Sequence, residues 1–387
     1  MLSKFNSIVQ FLINKYKFVI FVAIFSVGII IKIILLPAEN IDYLTFLLPW
    51  IEFIKSHGYE NSLKYIFYDY TPTYIYFLVL IAKWGLNPLF SIKFISFFFE
   101  YLLAFFIGKI AYQKHKTFTS FLVGFTIIPI LPTVIFNASY LSQCDAIYSA
   151  LVAGSIYFML TKRQFLAILF LSIGFVFKMQ TVFILPLYFV LLLRKEYKWY
   201  YFLMIPLFYI ISTLPAVYYG GPFRELAGVY FMQANKYKYL TLNFPNIYIF
   251  INNNLYEIFK IAGILFTVLI TLFTGFWLKS KKYILDFDSY IRLAFICSIL
   301  IPFILPGMHE RYMFLGDALS VLYFLVFRKN IHFPIGILLV STYSYIRLSR
   351  FNDILPMEPA FVIYTIIIVL AIYDFISNLK KINNETK

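Results

Sequence analysis

An acidic residue near the start of the chain has the position of a catalytic base. Asp42 follows the long apolar segment 18–36 and lies three residues beyond Glu39. Apolar residues then recur with the spacing of a helix, at Leu44, Leu47, Leu48, Ile51 and Ile54. This pattern predicts a helix on an apolar surface, so Asp42 would stand at a bilayer boundary, where a carboxylate can remove the proton of an alcohol. A helix N-cap is the structural alternative for Asp42.

Other polar residues stand at the boundaries of later apolar segments. Asp69 precedes a Thr-Pro dipeptide, where an acid that shapes a turn or caps a helix would also be ordinary. Gln143 and Asp145 precede the apolar segment 146–160. Asp145 alone could cap that helix, but an amide beside a carboxylate suits the hydroxyl groups of a sugar. We therefore expect a hydroxyl-binding function for the pair.

Basic residues at two boundaries predict an anion site. Lys178 has apolar neighbours on both sides, where a charge is costly and usually functional, although a lysine that reaches to the membrane surface is the alternative. His309, Glu310 and Arg311 follow a Pro-Gly dipeptide that ends an apolar segment. Arg311 can hold a phosphate through its guanidinium group, His309 can donate a hydrogen bond, and Glu310 can orient either one. A solvated turn is the alternative for these three, and their spacing predicts no zinc site.

The chain that carries these residues has the composition of a membrane protein. Of its 387 residues, 62% are hydrophobic and 13% are charged. Its formal net charge of +15 would suggest nucleic acid as a partner of a soluble protein, but most Lys and Arg residues lie in short loops between apolar segments. That distribution follows the positive-inside rule. We expect one integral-membrane domain over residues 1–387, with membrane lipid and not nucleic acid as a partner.

Charge also predicts the orientation of the chain. Lys4, Lys15 and Lys17 precede the first apolar segment, which places the N-terminus in the cytoplasm and Asp42 outside. The short segment 71–86 decides the rest. If it is half-immersed and returns to the outer face, five basic clusters fall inside; if it spans, all five fall outside. We adopt the first interpretation, which puts the candidate residues on the outer face and both termini in the cytoplasm of a multi-pass cell-membrane protein.

The predicted fold is all-α and polytopic, with about twelve transmembrane helices and amphipathic juxtamembrane helices in the first outer loop, residues 37–91. The predicted spans are residues 18–36, 92–112, 118–136, 146–160, 165–177, 181–193, 199–218, 258–278, 291–305, 312–327, 333–348 and 360–375. A second large outer loop, residues 219–257, mixes polar and aromatic residues, which suits sugar rings but is also typical of membrane interfaces. Glu100, inside the second span, requires a partner or a cavity.

In their order along the chain, these residues resemble the GT-C glycosyltransferases that use polyprenyl-phosphate sugars. The resemblance is closest to bacterial proteins related to the GPI-anchor mannosyltransferases. The residues that carry it are Asp42 and the segments 69–72, 142–148, 177–180, 242–248 and 309–312. The resemblance implies a GT-C-like fold and an inverting transfer of a hexose, with mannose suggested by kinship, on the outer face of the membrane. The acceptor would be a hydroxyl group of a glycolipid or glycan in surface polysaccharide or glycolipid assembly.

The resemblance also implies roles for individual residues. Asp42 would be the catalytic base, and Lys178, His309 and Arg311 would bind the phosphate of the donor. The sugar or the acceptor would contact Gln143, Asp145, Gln180, Glu310, Asp69 and Tyr70. The lipid-linked sugar is then a substrate, no cofactor is implied, and a requirement for a divalent metal stays open. Two alternatives remain: a transporter or flippase of lipid-linked sugars, and an O-antigen polymerase or ligase that would depend on Arg224.

Overall fold

The computed structural model describes residues 2–281, 283–348 and 355–385, which form seventeen α-helices, short 3₁₀- and π-helical segments and two short strands. The helices are α1 (Leu2–Leu35), α2 (Leu48–His57), α3 (Pro72–Lys83), α4 (Pro88–His115), α5 (Phe118–Ile127), α6 (Pro132–Val134), α7 (Asp145–Leu160), α8 (Gln164–Phe177), α9 (Leu185–Leu193), α10 (Met204–Tyr218), α11 (Phe223–Ala227), α12 (Val229–Lys236), α13 (Tyr256–Ser280), α14 (Phe287–Ile304), α15 (Phe314–Phe327), α16 (His332–Ile346) and α17 (Glu358–Glu385). The strands are β1 (Thr241–Leu242) and β2 (Met308–His309), which pair in parallel.

Several of these helices are long and apolar enough to cross a membrane. Six such segments occur in the described part of the chain, and they involve α1, α4, α10, α13, α14 and α17. Residues 118–140 form a helix pair that bends by 49° next to Pro132, which lacks a backbone N–H; the pair is either a broken span or a re-entrant loop. Five further apolar helical segments have only 10 to 17 residues. The chain is thus an all-α membrane protein, while the count of about twelve spans remains a prediction.

The first loop, residues 37–91, is built from two short helices that pack on each other. The apolar face of α2 buries Trp50, Ile51 and Ile54, and most of α3 is also buried. At 12 residues, α3 is about 18 Å long and too short to cross a bilayer. A helix therefore exists in the predicted region, and its apolar face packs on protein.

Buried polar contacts fix the backbone around Asp42. The Lys93 ammonium group donates to three carbonyl oxygens at and just beyond the end of α1, those of Leu35, Leu36 and Ala38, at 2.7–3.2 Å. Asn40 donates to the Tyr140 carbonyl at 2.6 Å. The Asn40 side chain also accepts from the backbone N–H of Tyr43 at 3.1 Å, whereas the Asp42 side chain makes no capping hydrogen bond. The N-cap role considered for Asp42 thus belongs to Asn40.

The end of α14 is held by the large loop, residues 219–257. Tyr248 donates its hydroxyl hydrogen to the Ile304 carbonyl at 2.9 Å, and the Asn246 amide donates to the Leu305 carbonyl at 3.1 Å. These bonds satisfy carbonyl groups that a helix end leaves free. Immediately beyond, β1 pairs with β2, which includes His309. The large loop therefore sets the position of the His309–Arg311 segment.

Candidate functional site

One cavity of about 300 Å³ brings together nine of the ten predicted site residues. They are Asp42, Asp69, Tyr70, Gln143, Lys178, Gln180, His309, Glu310 and Arg311. The tenth, Asp145, is fully buried and does not line the cavity. Its position differs from that of a residue in contact with a sugar, because its carboxylate lies behind the wall and binds the cations that form it.

Gln143 holds the carboxylate of Asp42. The Gln143 Nε2 group donates to Asp42 Oδ2 at 2.5 Å, and Gln143 Oε1 accepts from the Tyr70 hydroxyl at 2.9 Å. Both ends of the amide are therefore occupied by protein groups. This arrangement orients Asp42, which is half-buried, and leaves Gln143 and Tyr70 less available to a sugar than we expected.

Asp145 holds Lys178 in the same way. Lys178 is only 8% exposed, and its ammonium group donates to Asp145 Oδ1 at 2.6 Å. Asp145 Oδ2 accepts from Asn137 Nδ2 at 2.8 Å and lies 3.8 Å from Arg311 Nε. Buried charges are tolerated when they are paired and hydrogen-bonded. Lys178 is therefore a paired wall residue of the cavity rather than a lysine that reaches to the membrane surface, and Asp145 makes no side-chain cap on α7.

The last segment of the site adds charge and a neutral imidazole. Arg311 Nη1 donates to Glu310 Oε1 at 3.0 Å, and burial raises the pKa of Glu310 although Arg311 opposes the shift. Burial, with further contributions from Arg311 and Lys178, lowers the pKa of His309 to about 3. His309 is therefore neutral near pH 7. It can donate one hydrogen bond, while the positive charge of this wall comes from Lys178 and Arg311.

The segment 143–145 connects the two halves of the site. Gln143 positions the acid of the first loop, and Asp145, two residues later, positions the cations. A carboxylate that can accept a proton thus faces the same space as charges that can neutralise an anion. Among the described residues, no group of three or more His, Cys, Asp or Glu side chains has a geometry that could hold a metal ion.

Several cavity residues were not predicted as site residues. Phe46 and Trp50 lie one turn apart on the same face and line the cavity, but their helical spacing indicated only burial. Gln233 and Lys236 reach the cavity from α12, where their composition was equally typical of a membrane interface. Asn137 binds Asp145 from outside the lining, and nothing in its local sequence indicates that contact.

No family model matches the chain, and no curated protein matches it either.

Proposed function

We propose that the chain is an integral-membrane glycosyltransferase. It moves a hexose, for which the resemblance suggests mannose, from a polyprenyl-phosphate donor to a hydroxyl group of a glycolipid or glycan. The observation that supports this most directly is the shared cavity: Asp42, held by Gln143, faces the same space as Lys178 and Arg311. A glycosyl transfer from a lipid phosphate needs a base for the acceptor and positive charge for the leaving phosphate.

In the proposed reaction, Asp42 accepts the proton of the acceptor hydroxyl group. The acceptor oxygen attacks the anomeric carbon from the face opposite the phosphate, the bond from that carbon to the phosphate oxygen breaks, and the configuration inverts. The phosphate leaves with the bonding electron pair, and positive charge in the wall stabilises it. The proton ends on Asp42, and neutral His309 donates a hydrogen bond to the phosphate.

The two cations have different availability. Lys178 already donates to Asp145, whereas Arg311 lines the cavity and, among the described residues, donates only through Nη1, to Glu310. An unpartnered guanidinium N–H next to a cavity favours an incoming oxyanion. We therefore assign the direct phosphate contact to Arg311, with Lys178 adding charge from its fixed position.

The proposal includes about twelve crossings with the cavity on the outer face and both termini in the cytoplasm. Support comes from contacts among the basic loops at the helix ends away from the cavity, which are Gln113–Leu160, Gln164–Glu196, Arg194–Tyr283 and Lys114–Asp288. The cavity lies at the opposite ends of the helices, where α7 begins, α8 ends and α15 begins. One face is thus rich in Lys and Arg, as cytoplasmic loops are.

The test is a transfer assay in lipid nanodiscs with a radiolabelled polyprenyl-phosphate hexose and glycolipid acceptors. Asp42→Asn removes the proposed base and keeps the shape of the side chain, so we expect transfer to fall by about 10²–10⁴-fold with donor binding retained. Glu39→Gln is the control, since Glu39 lies in the same loop and does not line the cavity. Transfer by the Asp42 variant at the wild-type rate would disprove the base assignment.

The same assay separates the alternatives. A polymerase or ligase that depends on Arg224 would lose activity in Arg224→Ala and keep it in Asp42→Asn; Arg224 is exposed and lies outside the cavity lining. A transporter would move the lipid-linked sugar without forming a glycosidic bond. Absence of transfer by wild type with every donor and acceptor, together with measurable flipping in vesicles, would favour that function.

A further inference from the structure

A second cavity of about 580 Å³ adjoins the first one. It is lined by residues 66–69 of the first loop and by one face of α12. Asp69, Gln233 and Lys236 line both cavities. These three residues therefore form a wall between the space that contains Asp42 and the neighbouring space.

The wall is held by polar contacts at one end of α12. The Lys236 ammonium group pairs with the Asp69 carboxylate, and the Gln233 amide donates to the Asp69 carbonyl oxygen. The two charged side chains are 41% and 33% exposed. An ion pair with that exposure contributes little to stability, so it can open at little cost in free energy.

The other end of α12 is anchored. Tyr230 is 8% exposed, donates its hydroxyl hydrogen to the Phe175 carbonyl, and stacks on Tyr209 with the ring centroids 5.2 Å apart. The helix is thus fixed near its start. Its other end is held by the contacts with Asp69 and by two contacts with α13, from Lys260 to the Asn235 side chain and from the Tyr256 hydroxyl to the Ala234 carbonyl. Movement at this second end would connect the two cavities without unpacking Tyr230.

The chemistry of the second cavity suits a carbohydrate. Phe67 and Tyr68 supply aromatic surface. The amide and ammonium groups of Gln233, Asn235 and Lys236 each already donate to a protein oxygen, and each has at least one further N–H group to offer a ligand. Sugars combine apolar C–H faces with many hydroxyl groups, so they match a lining of this mixed kind. The two cations that we assign to the donor phosphate, Lys178 and Arg311, line the first cavity and not the second. The second cavity therefore lacks the charge pattern that we assign to the donor phosphate.

We propose that the second cavity is the acceptor subsite, and that it binds the sugar of a glycolipid or glycan whose hydroxyl group reaches Asp42 when the Asp69–Lys236 contact opens. This proposal rests on the proposed glycosyl transfer. It assigns the donor sugar phosphate to the first cavity and the acceptor sugar to the second. The wall keeps the acceptor hydroxyl away from Asp42 until α12 moves.

A reversible crosslink tests the wall. Asp69→Cys with Lys236→Cys is joined by a short bis-methanethiosulfonate linker, and transfer to octyl α-mannoside is measured in nanodiscs before and after linking. We expect linking to lower transfer at least about tenfold and dithiothreitol to restore it. Glu60→Cys with Lys83→Cys is the matched control, since that ion pair has similar exposure and lies outside both cavities. Equal transfer by linked and unlinked protein would refute the gating step.

Cysteine protection tests the subsite without any turnover. Met232 lines the second cavity and is 41% exposed, and Tyr59 lies outside both cavities with 38% exposure. We expect octyl α-mannoside to slow maleimide labelling of Met232→Cys several-fold and to leave Tyr59→Cys unchanged; the native Cys144 and Cys297 are buried. Labelling of Met232→Cys unaffected by the mannoside would overturn the subsite even if transfer is intact. Protection without transfer by wild type would instead count against the proposed function alone.

Discussion

Two lysine–carboxylate pairs in this molecule have the same chemistry and nearly the same burial. Lys178 pairs with Asp145 at 2.6 Å, with exposed side-chain fractions of 9% and 0%. Lys32 pairs with Glu100, with fractions of 3% and 0%. Burial therefore does not distinguish them. Their surroundings do, because Lys178 lines the cavity, whereas Lys32 and Glu100 lie between α1 and α4 away from it.

The second partners of the two carboxylates differ as well. Asp145 also accepts from Asn137 and has Arg311 nearby, so both of its oxygens are engaged. Glu100 Oε1 has no hydrogen-bond partner within the described chain. Little of α1 is buried, which makes the Lys32–Glu100 pair an anchor for a lipid-exposed helix. The comparison suggests that one pair organises a site and the other holds a helix in place.

Neutralising each pair as a unit tests whether only the Lys178–Asp145 pair is needed for transfer. Lys178→Met with Asp145→Asn removes charge from the cavity, and we expect transfer to fall by about 10³-fold because the leaving phosphate loses its stabilisation. Lys32→Met with Glu100→Gln leaves no unpaired charge and should keep transfer within about twofold of wild type. Both double variants are assayed in nanodiscs at equal folded concentration. Equal losses in the two would remove the distinction between a site pair and an anchor pair.

Removing one lysine at a time compares how much each pair contributes to the free energy of unfolding. Lys32→Met leaves Glu100 buried without a cation, and we expect the free energy of unfolding to fall by about 3 kcal/mol. Lys178→Met should destabilise less, because Arg311 remains 3.8 Å from Asp145. Thermal unfolding of both variants in one detergent, followed by tryptophan fluorescence, gives the order. A larger loss for Lys178→Met would show that Arg311 does not compensate Asp145.

The same two pairs show what the sequence reveals and what it hides. Lys178 and Glu100 are each recognisable, since a charge amid apolar residues is costly and requires a reason. Their partners are not, because Asp145 lies 33 residues from Lys178 and Lys32 lies 68 residues from Glu100. Local spacing carries no information on contacts between helices that are distant in the chain.

The fold likewise has helices that the sequence predicts and contacts that it does not. Long apolar segments predict α1, α4, α13 and α17, whose helical character depends on local composition. The contact of α12 with the first loop was not predictable, since it depends on how two loops fold over one cavity. The role of Asn40 as the cap in place of Asp42 was also missed, because both residues have side chains that can cap a helix.

Gln143 donates a hydrogen bond to Asp42, the proposed base, as Lys178 does to Asp145. Gln143→Leu removes the hydrogen bond that orients Asp42, and we expect kcat to fall by about tenfold, the usual size of such a supporting contact, with KM for the donor little changed. An unchanged kcat would show that the hydrogen bond from Gln143 to Asp42 has no part in the reaction.

Gln164→Leu is the matched control for that experiment. Gln164 likewise donates an amide hydrogen bond to a distant segment, the Glu196 carbonyl at 2.6 Å, but it lies at the other end of the bundle. Both variants lose one glutamine hydrogen bond, and only one of them loses a contact with the proposed base. We expect Gln164→Leu to leave kcat unchanged.

The smallest predicted effect is a change in one histidine pKa, which reports on Lys178 and not on Lys32. Burial and two neighbouring cations, Arg311 and Lys178, lower the pKa of His309 from 6.5 to about 3. Lys178→Met removes one of those cations, so the His309 pKa should rise by up to about one unit, while Lys32→Met should leave it unchanged. Titration of ¹³C-labelled histidine by NMR measures it, and equal shifts in both variants would contradict the placement of Lys178 beside His309.

The same depressed pKa fixes the sign of a stability effect. Unfolded chains bind a proton at His309 below about pH 6.5, while the folded chain does so only near pH 3, so the native state loses stability as pH falls through that window. The slope contributed by one such group is at most about 1.4 kcal/mol per pH unit. His309→Gln should remove this contribution and flatten the decline. Lys178→Met should raise the pKa of His309 in the folded chain, so the pH range over which stability is lost should end at a higher pH. Lys32→Met should leave that pH range unchanged.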